Sequence, residues 1–376
     1  MRVLSFGISQ SPVCGMQDYA DGLAEELRSR GHHVDRAWRL RHGGQEPVRS
    51  WLEDLLRQAT AAQTDIILWH YSPFSYGAHG IPTLAVVIAH ELRRSRIPVA
   101  TVLHEMVYPW GREGWRGACW AVAQRAVLPY VVAASSALVL TVDKRARWMN
   151  RRPWIPVRPT IVVPAFSNVP EISPPAHHEP AHHEPAHDEE ALRVGVFGYQ
   201  PVAAGLVIDA FVRLRHHRPD AELWLIGAPG ADSDVGRTWS RAADRAGAGT
   251  AVHFTGVLQG GTLALQLAAC DLGVFHDGAG PSSRKGSLAA LLHAGLPTVA
   301  VDGADTWPEL ARERPVVLVA AQADQVARAL VHLADEPESR STLAQRARNF
   351  YDRHQSRSAV ADAYDTFLTA VAAATH

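Results

Sequence analysis

Lysine is almost missing: only Lys144 and Lys285 occur in 376 residues, although arginine is abundant. A coding preference for arginine explains the scarcity, and against it Lys285, beside Arg284 in a small polar turn, stands out from surface filler. Cysteine is nearly as sparse. Cys14, Cys119 and Cys270 are odd in number, far apart and without a CxxC pairing, which argues against a disulfide framework and a structural zinc site and fits a reducing cytoplasm. An excess of one charge is missing too, since 37 basic side chains stand against 38 acidic ones. No whole-protein field therefore draws the chain to nucleic acid or to an acidic membrane, and a small-molecule ligand is favoured. The longest apolar run, Ala126 to Val142, is broken by Pro129, Ser135 and Ser136. It falls short of the roughly 20 residues of a spanning helix and reads as a buried helix end followed by a strand, so no stable membrane insertion is expected. The opening MRVLSFGIS reads as a first strand rather than an export signal.

What is present is alternation. Short aliphatic or β-branched runs alternate with helical patterns of apolar spacing i, i+3, i+4, the signature of parallel sheets with crossover helices. In the first half the expected strands are Arg2 to Phe6, Asp65 to Trp69, Val99 to Leu103 and Ala137 to Thr141, with a helix over Met16 to Arg30 that Gly31 stops. Residues 170 to 190, PEISPPAHHEPAHHEPAHDEE, break the pattern and contain no large aliphatic side chain after Ile172. Such a segment cannot bury enough surface to offset its ordering entropy, so it is a linker. Its His177, His178, His182 and His183 could ligate a transition metal, but a flexible repeat lacks the outer shell that orients such ligands. The alternation then restarts: strands over LRVGVFGY, AELWLIG, AVHFTG, LGVFHD, PTVAV and PVVLV, helices over Val207 to Arg215 and Thr262 to Ala269 and one starting near Gly286. The division that follows is residues 1–168, a linker at 169–190, residues 191–350, and a last helix within 351–376. Chains of 376 residues and 40.9 kDa are long enough for two such cores.

The turn that contains Lys285 has phosphate-binding chemistry. A helix beginning near Gly286 leaves its first N–H groups unpaired and carries a positive dipole end. Ser283 and Ser287 add hydroxyls, Gly286 permits close approach, and Arg284 with Lys285 supply two positive charges against a diphosphate. The amide of Leu288 completes the turn. Gly15 and Met16 open a second strand-to-helix turn in the first half, whose backbone can approach a donor phosphate or sugar, and Gln17 or Asp18 is placed to cap the helix. His104 ends the strand VATVLH and is followed by Glu105, at the carboxyl edge where open sheets bind ligands. Eight of the eleven tryptophans precede the linker, several in loops near strand ends. Aromatic faces stack on sugar rings and attract cations, which makes Trp69, Tyr71, Tyr76 and Trp110 candidates for acceptor contact.

The string HFTGVLQGGTLALQLAACDLGVFHDGAGPSSRKGSLAALLHAGLPTVAVDG resembles the donor-binding region of retaining glycosyltransferases with two facing Rossmann-like domains, the GT-B enzymes of glycosyltransferase family 4 (group 1). The resemblance extends through RVGVFGYQPVAAGLVIDAFVRLRHHRPDAELWLIGAPG and covers nearly all of residues 191 to 303; CGMQDYADGLAEELRSRGHHV and VATVLHE agree more loosely. It implies a cleft between two domains, a nucleotide-diphosphate sugar (UDP or GDP) as donor, a small acceptor, and a last helix that packs back on the first domain. By the same resemblance Ser282, Tyr199, Gly256 and Val257 lie near the donor sugar or base. His104 touches the donor sugar, Glu105 orients the acceptor or acts as base, and the donor phosphate itself takes the acceptor proton. Two departures stand out. The paired glutamates of the family are replaced by Ser282 and Ala290, and GYQPVAAG has no cation where an Arg and a Lys commonly clamp the diphosphate. The expectation is a hexosyltransferase of specialised metabolism that needs no cofactor and no metal, with oligomerisation left open. A sugar-nucleotide epimerase or hydrolase of the same fold, or a catalytically degenerate partner protein, is the alternative.

Overall fold

The computed structural model describes residues 1–11, 14–43, 46–170, 191–227, 229–258 and 260–374. From residue 171 on, the expected linker and its histidines lie outside the described residues. The chain divides into two units, the first made of Met1–Ala165 with Arg357–His376 and the second of Phe166–Ser356.

The first unit runs β1 (Arg2–Ser9), α1 (Gly15–Ser29), β2 (His33–Leu40), α2 (Val48–Ala61), β3 (Ile66–Tyr71), α3 (Thr83–Ser95), β4 (Val99–Leu103), α4 (Gly114–Ala133), β5 (Ala137–Leu140), α5 (Asp143–Asn150) and β6 (Thr160–Val162). The second contains β7 (Arg193–Phe197), α6 (Ala204–His217), β8 (Glu222–Ile226), α7 (Asp234–Arg245), β9 (Val252–Gly256), α8 (Gly260–Ala268), β10 (Leu272–Phe275), α9 (Gly286–His293), β11 (Thr298–Val301), α10 (Pro308–Glu313), β12 (Val317–Val319), α11 (Ala323–Asp335) and α12 (Pro337–His354). The last helix, α13 (Arg357–Ala373), belongs to the first unit. There Tyr364 shares a 3.3 Å hydroxyl contact with Tyr19, Asp365 takes the ring nitrogen of His32 at 2.8 Å, and Asp362 accepts from Arg30.

Each unit holds one six-stranded sheet, ordered β2-β1-β3-β4-β5-β6 and β12-β11-β10-β7-β8-β9, and every strand pair is parallel. The middle strands are apolar on both faces because helices cover both faces of a parallel sheet, and every residue of β3, IILWHY, is buried. Gly31 and Gly295 end α1 and α9 with φ of 86° and 64°, the left-handed step that only glycine takes without cost. In both sheets the strand order reverses once, between β1 and β3 and between β7 and β10. The carboxyl ends of those strands flank the crevice in which open α/β sheets bind ligands.

Candidate functional site

At the switch point of the second sheet, β10 ends at Phe275 and the chain reaches Gly286, the first residue of α9, through a compact turn. The turn is anchored from behind: Asp305 N–H donates to Ala279 O at 2.6 Å and Trp307 N–H to Pro281 O at 2.9 Å. Ser282 and Ser283 are buried, which withdraws these two hydroxyls from a surface role, while Gly286 is exposed and Arg284, Lys285 and Ser287 are half-buried. Lys285, the N-cap residue of α9, makes no side-chain cap bond, and a Cβ built on Gly286 meets nothing within 4 Å, so Gly286 at the mouth of the helix is open. From β7, Gly198 (φ 69°) packs on Ser287; a Cβ there would stand 3.1 Å from the serine Cβ. The two loops of the switch point therefore touch, as a shared ligand site requires. Leu288 and Ala290 are buried in the core, so Leu288 offers only its backbone, and a carboxylate at position 290 would have to be buried among Leu288, Leu291 and Phe275.

One member of this site has no signal in the turn motif itself. The carboxylate of Asp277 is ion-paired with Lys285 and accepts from Ala279 N–H at 3.0 Å. Burial pushes the Asp277 carboxyl up, but the hydrogen bonds from Lys285 and Ala279 and the charges of Lys285 and Arg284 outweigh it and hold the group below its ordinary value. Lys285 is thus already ordered by an anion, and Arg284 adds the second positive charge. Neighbouring His276 has a buried Nδ1 with no partner among the described residues, and burial lowers its basicity.

Tyr199 is buried beneath this edge rather than open to a ligand. Its hydroxyl accepts from Gly230 N–H at 2.8 Å and its ring packs edge-on against Trp239 and Phe254, so it braces the loop after β8. Gly256 ends β9 with φ 68° and open space at its Cβ position, and Val257 beyond it is exposed.

In the first unit α1 begins at Gly15. Cys14 is its N-cap residue without a side-chain bond, and Gln17 and Asp18 lie inside the first turn, their N–H groups bonded to Cys14 O at 2.9 and 3.0 Å. Neither caps the helix, contrary to the sequence reading. Gly15 is exposed and Met16 half-buried. Past the carboxyl end of β4, His104 is partly exposed and belongs to a buried relay. Its Nε2 lies 3.0 Å from His70 Nδ1, and His70 Nε2 lies 3.2 Å from Ser5 Oγ. The two imidazoles are stacked, Tyr19 stands edge-on to His104, and Arg145 donates to the His104 carbonyl at 2.6 Å. Burial and the Arg145 charge push His104 down to about 3, and burial and the His104 neighbour hold His70 well below its ordinary value. Both rings are neutral at neutral pH, so one N–H is shared between them. Glu105 accepts a 3.4 Å bond from Ser72 Oγ.

This relay has a measurable cost in acid. The unfolded chain takes up protons near pH ~6.5, where the fold refuses them, so the stabilisation is complete above that pH and is lost as pH falls toward the depressed folded values. The slope is up to about 1.4 kcal/mol per pH unit for each imidazole. Denaturant unfolding from about pH 7 to about pH 5 shows this decline, and His70→Asn makes it shallower. An unchanged slope in that variant would mean that the decline comes from other groups.

Three of the four aromatic candidates are corrected by burial. Trp69, Tyr71 and Tyr76 are fully buried in the core of the first unit. Trp69 stacks on Phe6 and its indole N–H donates to Tyr76 Oη at 3.0 Å, while Tyr76 O–H donates to His70 O at 2.5 Å. Core packing, not acceptor stacking, is their role in this fold. Trp110 is 56 % exposed, with the Arg125 guanidinium 4.6 Å from its ring centre.

Residues 189–336 match the family described as Glycosyl transferases group 1. No curated protein sequence matches the chain. Among solved structures, HepE of Anabaena in complex with UDP is 16 % identical with a TM-score of 0.68, over 98 % of this chain and 100 % of that one. Sucrose-phosphate synthase of Thermosynechococcus elongatus is 15 % identical with a TM-score of 0.68, over 99 % of each chain. UDP-GlcNAc 2-epimerase of Neisseria meningitidis bound to UDP-GlcNAc is 11 % identical with a TM-score of 0.61, over 98 % and 100 %. Identities this low establish the fold, and the family match falls on the unit that carries the Arg-Lys-Gly-Ser turn. The match to the group 1 glycosyl transferases thus lies within the second unit, and the chain shares with these structures the fold of two Rossmann-like units, the GT-B fold.

Proposed function

We propose that the protein transfers a sugar from a nucleotide-diphosphate donor, UDP- or GDP-linked, to a small-molecule acceptor with retention at the anomeric carbon. The observation that carries this reading is the open mouth of α9 at the switch point of the second sheet, where Gly286 is exposed and Arg284 and Lys285 flank uncapped amides. Backbone N–H groups and two cations there can hold a diphosphate and stabilise the charge that grows on it as the sugar leaves. The reaction on this reading needs no metal, because the cations and the helix end supply the neutralisation. Gly256 and Val257 border the base on this reading.

By the family resemblance, His104 contacts the donor sugar and Glu105 the acceptor. With His104 neutral, it can donate or accept a hydrogen bond to a sugar hydroxyl but carries no charge to the reaction. The proton of the acceptor passes to the leaving diphosphate, so no enzymic nucleophile is required. Trp110 is the aromatic candidate left for acceptor contact. An acceptor from specialised metabolism, such as an aminocyclitol, and a cytoplasmic location complete the reading.

A sugar-nucleotide epimerase of the same fold is the second reading, and the structural likeness to UDP-GlcNAc 2-epimerase favours keeping it. Thermal-shift measurements with UDP, GDP, TDP and ADP test the common element: the matching nucleotide at about 100 times its dissociation constant adds about 2.7 kcal/mol. If none of the four shifts the melting transition, the donor site is lost and the protein is a degenerate partner. Sugar-nucleotide consumption with no acceptor present selects the epimerase or hydrolase.

A further inference from the structure

Helix α4 is apolar over most of its circumference. Over Gly114–Ala133 its only charged side chains are Arg116 and Arg125, and both fold to the flanks: Arg125 donates to the carbonyls of Tyr108 and Ala121 and Arg116 lies over Trp120. One face, with Gly117, Ala121, Gln124, Leu128, Val131 and Val132, is buried against its own unit. The opposite face carries Trp115, Cys119, Val122, Ala126 and Tyr130, all exposed, with Trp115 at 77 %, Val122 at 58 % and Tyr130 at 57 %. At ~3.6 residues per turn these five fall in one stripe about 80° wide. A surface helix ordinarily turns charge to water, and a helix without it is covered on both sides. Among the described residues no helix is long and apolar enough to cross a membrane.

We propose that a second copy of this chain covers the stripe, α4 packing antiparallel on α4 about a two-fold axis between Val122 and Ala123. The stripe is self-complementary in that register and reads large, small, medium, small, large from Trp115 to Tyr130. Reversal sets Trp115 against Tyr130 and Cys119 against Ala126, so bulky ends meet at the rim and small residues let the axes approach at the centre. The ends match in charge as well. Exposed Glu113 stands at the amino end of α4, and at its carboxyl end Arg158 donates to the carbonyls of Ser135 and Ala133. Antiparallel packing brings Glu113 of one copy to Arg158 of the other, and Trp115 to Val157, which is 82 % exposed. The area sets the strength. Two large aromatics and two valines, each half or more exposed, give a few hundred Å² per copy, below the ~800 Å² of a standard interface. The dimer is therefore weak and concentration-dependent.

Sedimentation equilibrium of the full chain, up to the hundred-micromolar range, tests this. The expected result is a reversible monomer–dimer equilibrium that Val122→Glu weakens by at least about tenfold, with circular dichroism and melting unchanged. In a second arm Ala126→Cys, placed opposite Cys119 of the second copy, forms a disulfide-linked dimer under mild oxidation, and adding Cys119→Ser abolishes it. That arm decides the question should Val122→Glu fail to fold. A chain monomeric at every concentration, a dimer indifferent to Val122→Glu, or no cross-link through Cys119 overturns the proposal. So does a monomer that floats with anionic lipid vesicles and loses that binding in Val122→Glu, since the occupant would then be a lipid surface.

Discussion

Replacing Arg284 and Lys285 together by alanine lowers turnover of the nucleotide-sugar donor by at least about a hundredfold, some 2.7 kcal/mol, and raises the donor KM. The magnitude follows from where the charge is needed. Negative charge on the leaving diphosphate grows in the transition state, so cations aimed at it stabilise that state more than the bound substrate and their loss appears in kcat as well as KM. The cost to the fold is small, since both side chains are half-buried at a loop and Leu288, Ala289 and Leu291 of α9 stay packed in the core. Removing Lys285 does leave Asp277, only 14 % exposed, without its counter-ion. The triple variant that adds Asp277→Asn removes that orphaned charge and separates a local electrostatic defect from loss of the donor contact. Steady-state kinetics at saturating acceptor checks the prediction; unchanged kcat and KM remove the turn from the site.

Trp69→Ala destabilises the first unit by about 3–5 kcal/mol, which for a unit of this size lowers the melting temperature on the order of 10 °C. Trp69 is fully buried, stacked on Phe6 at 6.3 Å between ring centres, edge-on to Tyr71 and Tyr76, and its N–H bonds to Tyr76. Truncation opens a cavity that close-packed neighbours fill only in part, and it strips Tyr76 of a donor. Calorimetry measures the loss. A variant with wild-type stability and a raised acceptor KM would return Trp69 to the acceptor role that its place beside a loop first suggested.

The outcome for Trp69 shows what sequence does and does not carry. Both sheets were legible because parallel strands buried on two faces read as uninterrupted aliphatic runs: VATVL, between Pro98 and His104, has the limits of β4 itself. The edge strand β2, HVDRAWRL, carries no such signal, since most of its residues keep some exposure and it shows no apolar run. The start of α9 at Gly286 and the stop at Gly31 were legible from backbone chemistry. Side-chain direction was not. An aromatic near a strand end can turn to the core or to solvent, and only the packed sheet decides that Trp69, Tyr71, Tyr76 and Tyr199 turn inward while Trp110 does not. Pairings across the fold were equally hidden. Asp277 meets Lys285 because β10 and the start of α9 lie at one end of the sheet, and His70, an imidazole within the apolar run IILWHY, meets His104 because β3 and β4 are neighbours. A histidine buried mid-strand is the one clue to the relay that the sequence offered.

Amide chemical-shift mapping of the isotope-labelled protein during titration with UDP probes the mouth of α9 atom by atom. Saturable shifts at Gly286, Ser287 and Leu288, abolished in the Arg284→Ala/Lys285→Ala variant, are the predicted result. Nucleotide binding that leaves those three amides unmoved, or no binding at all, contradicts the account.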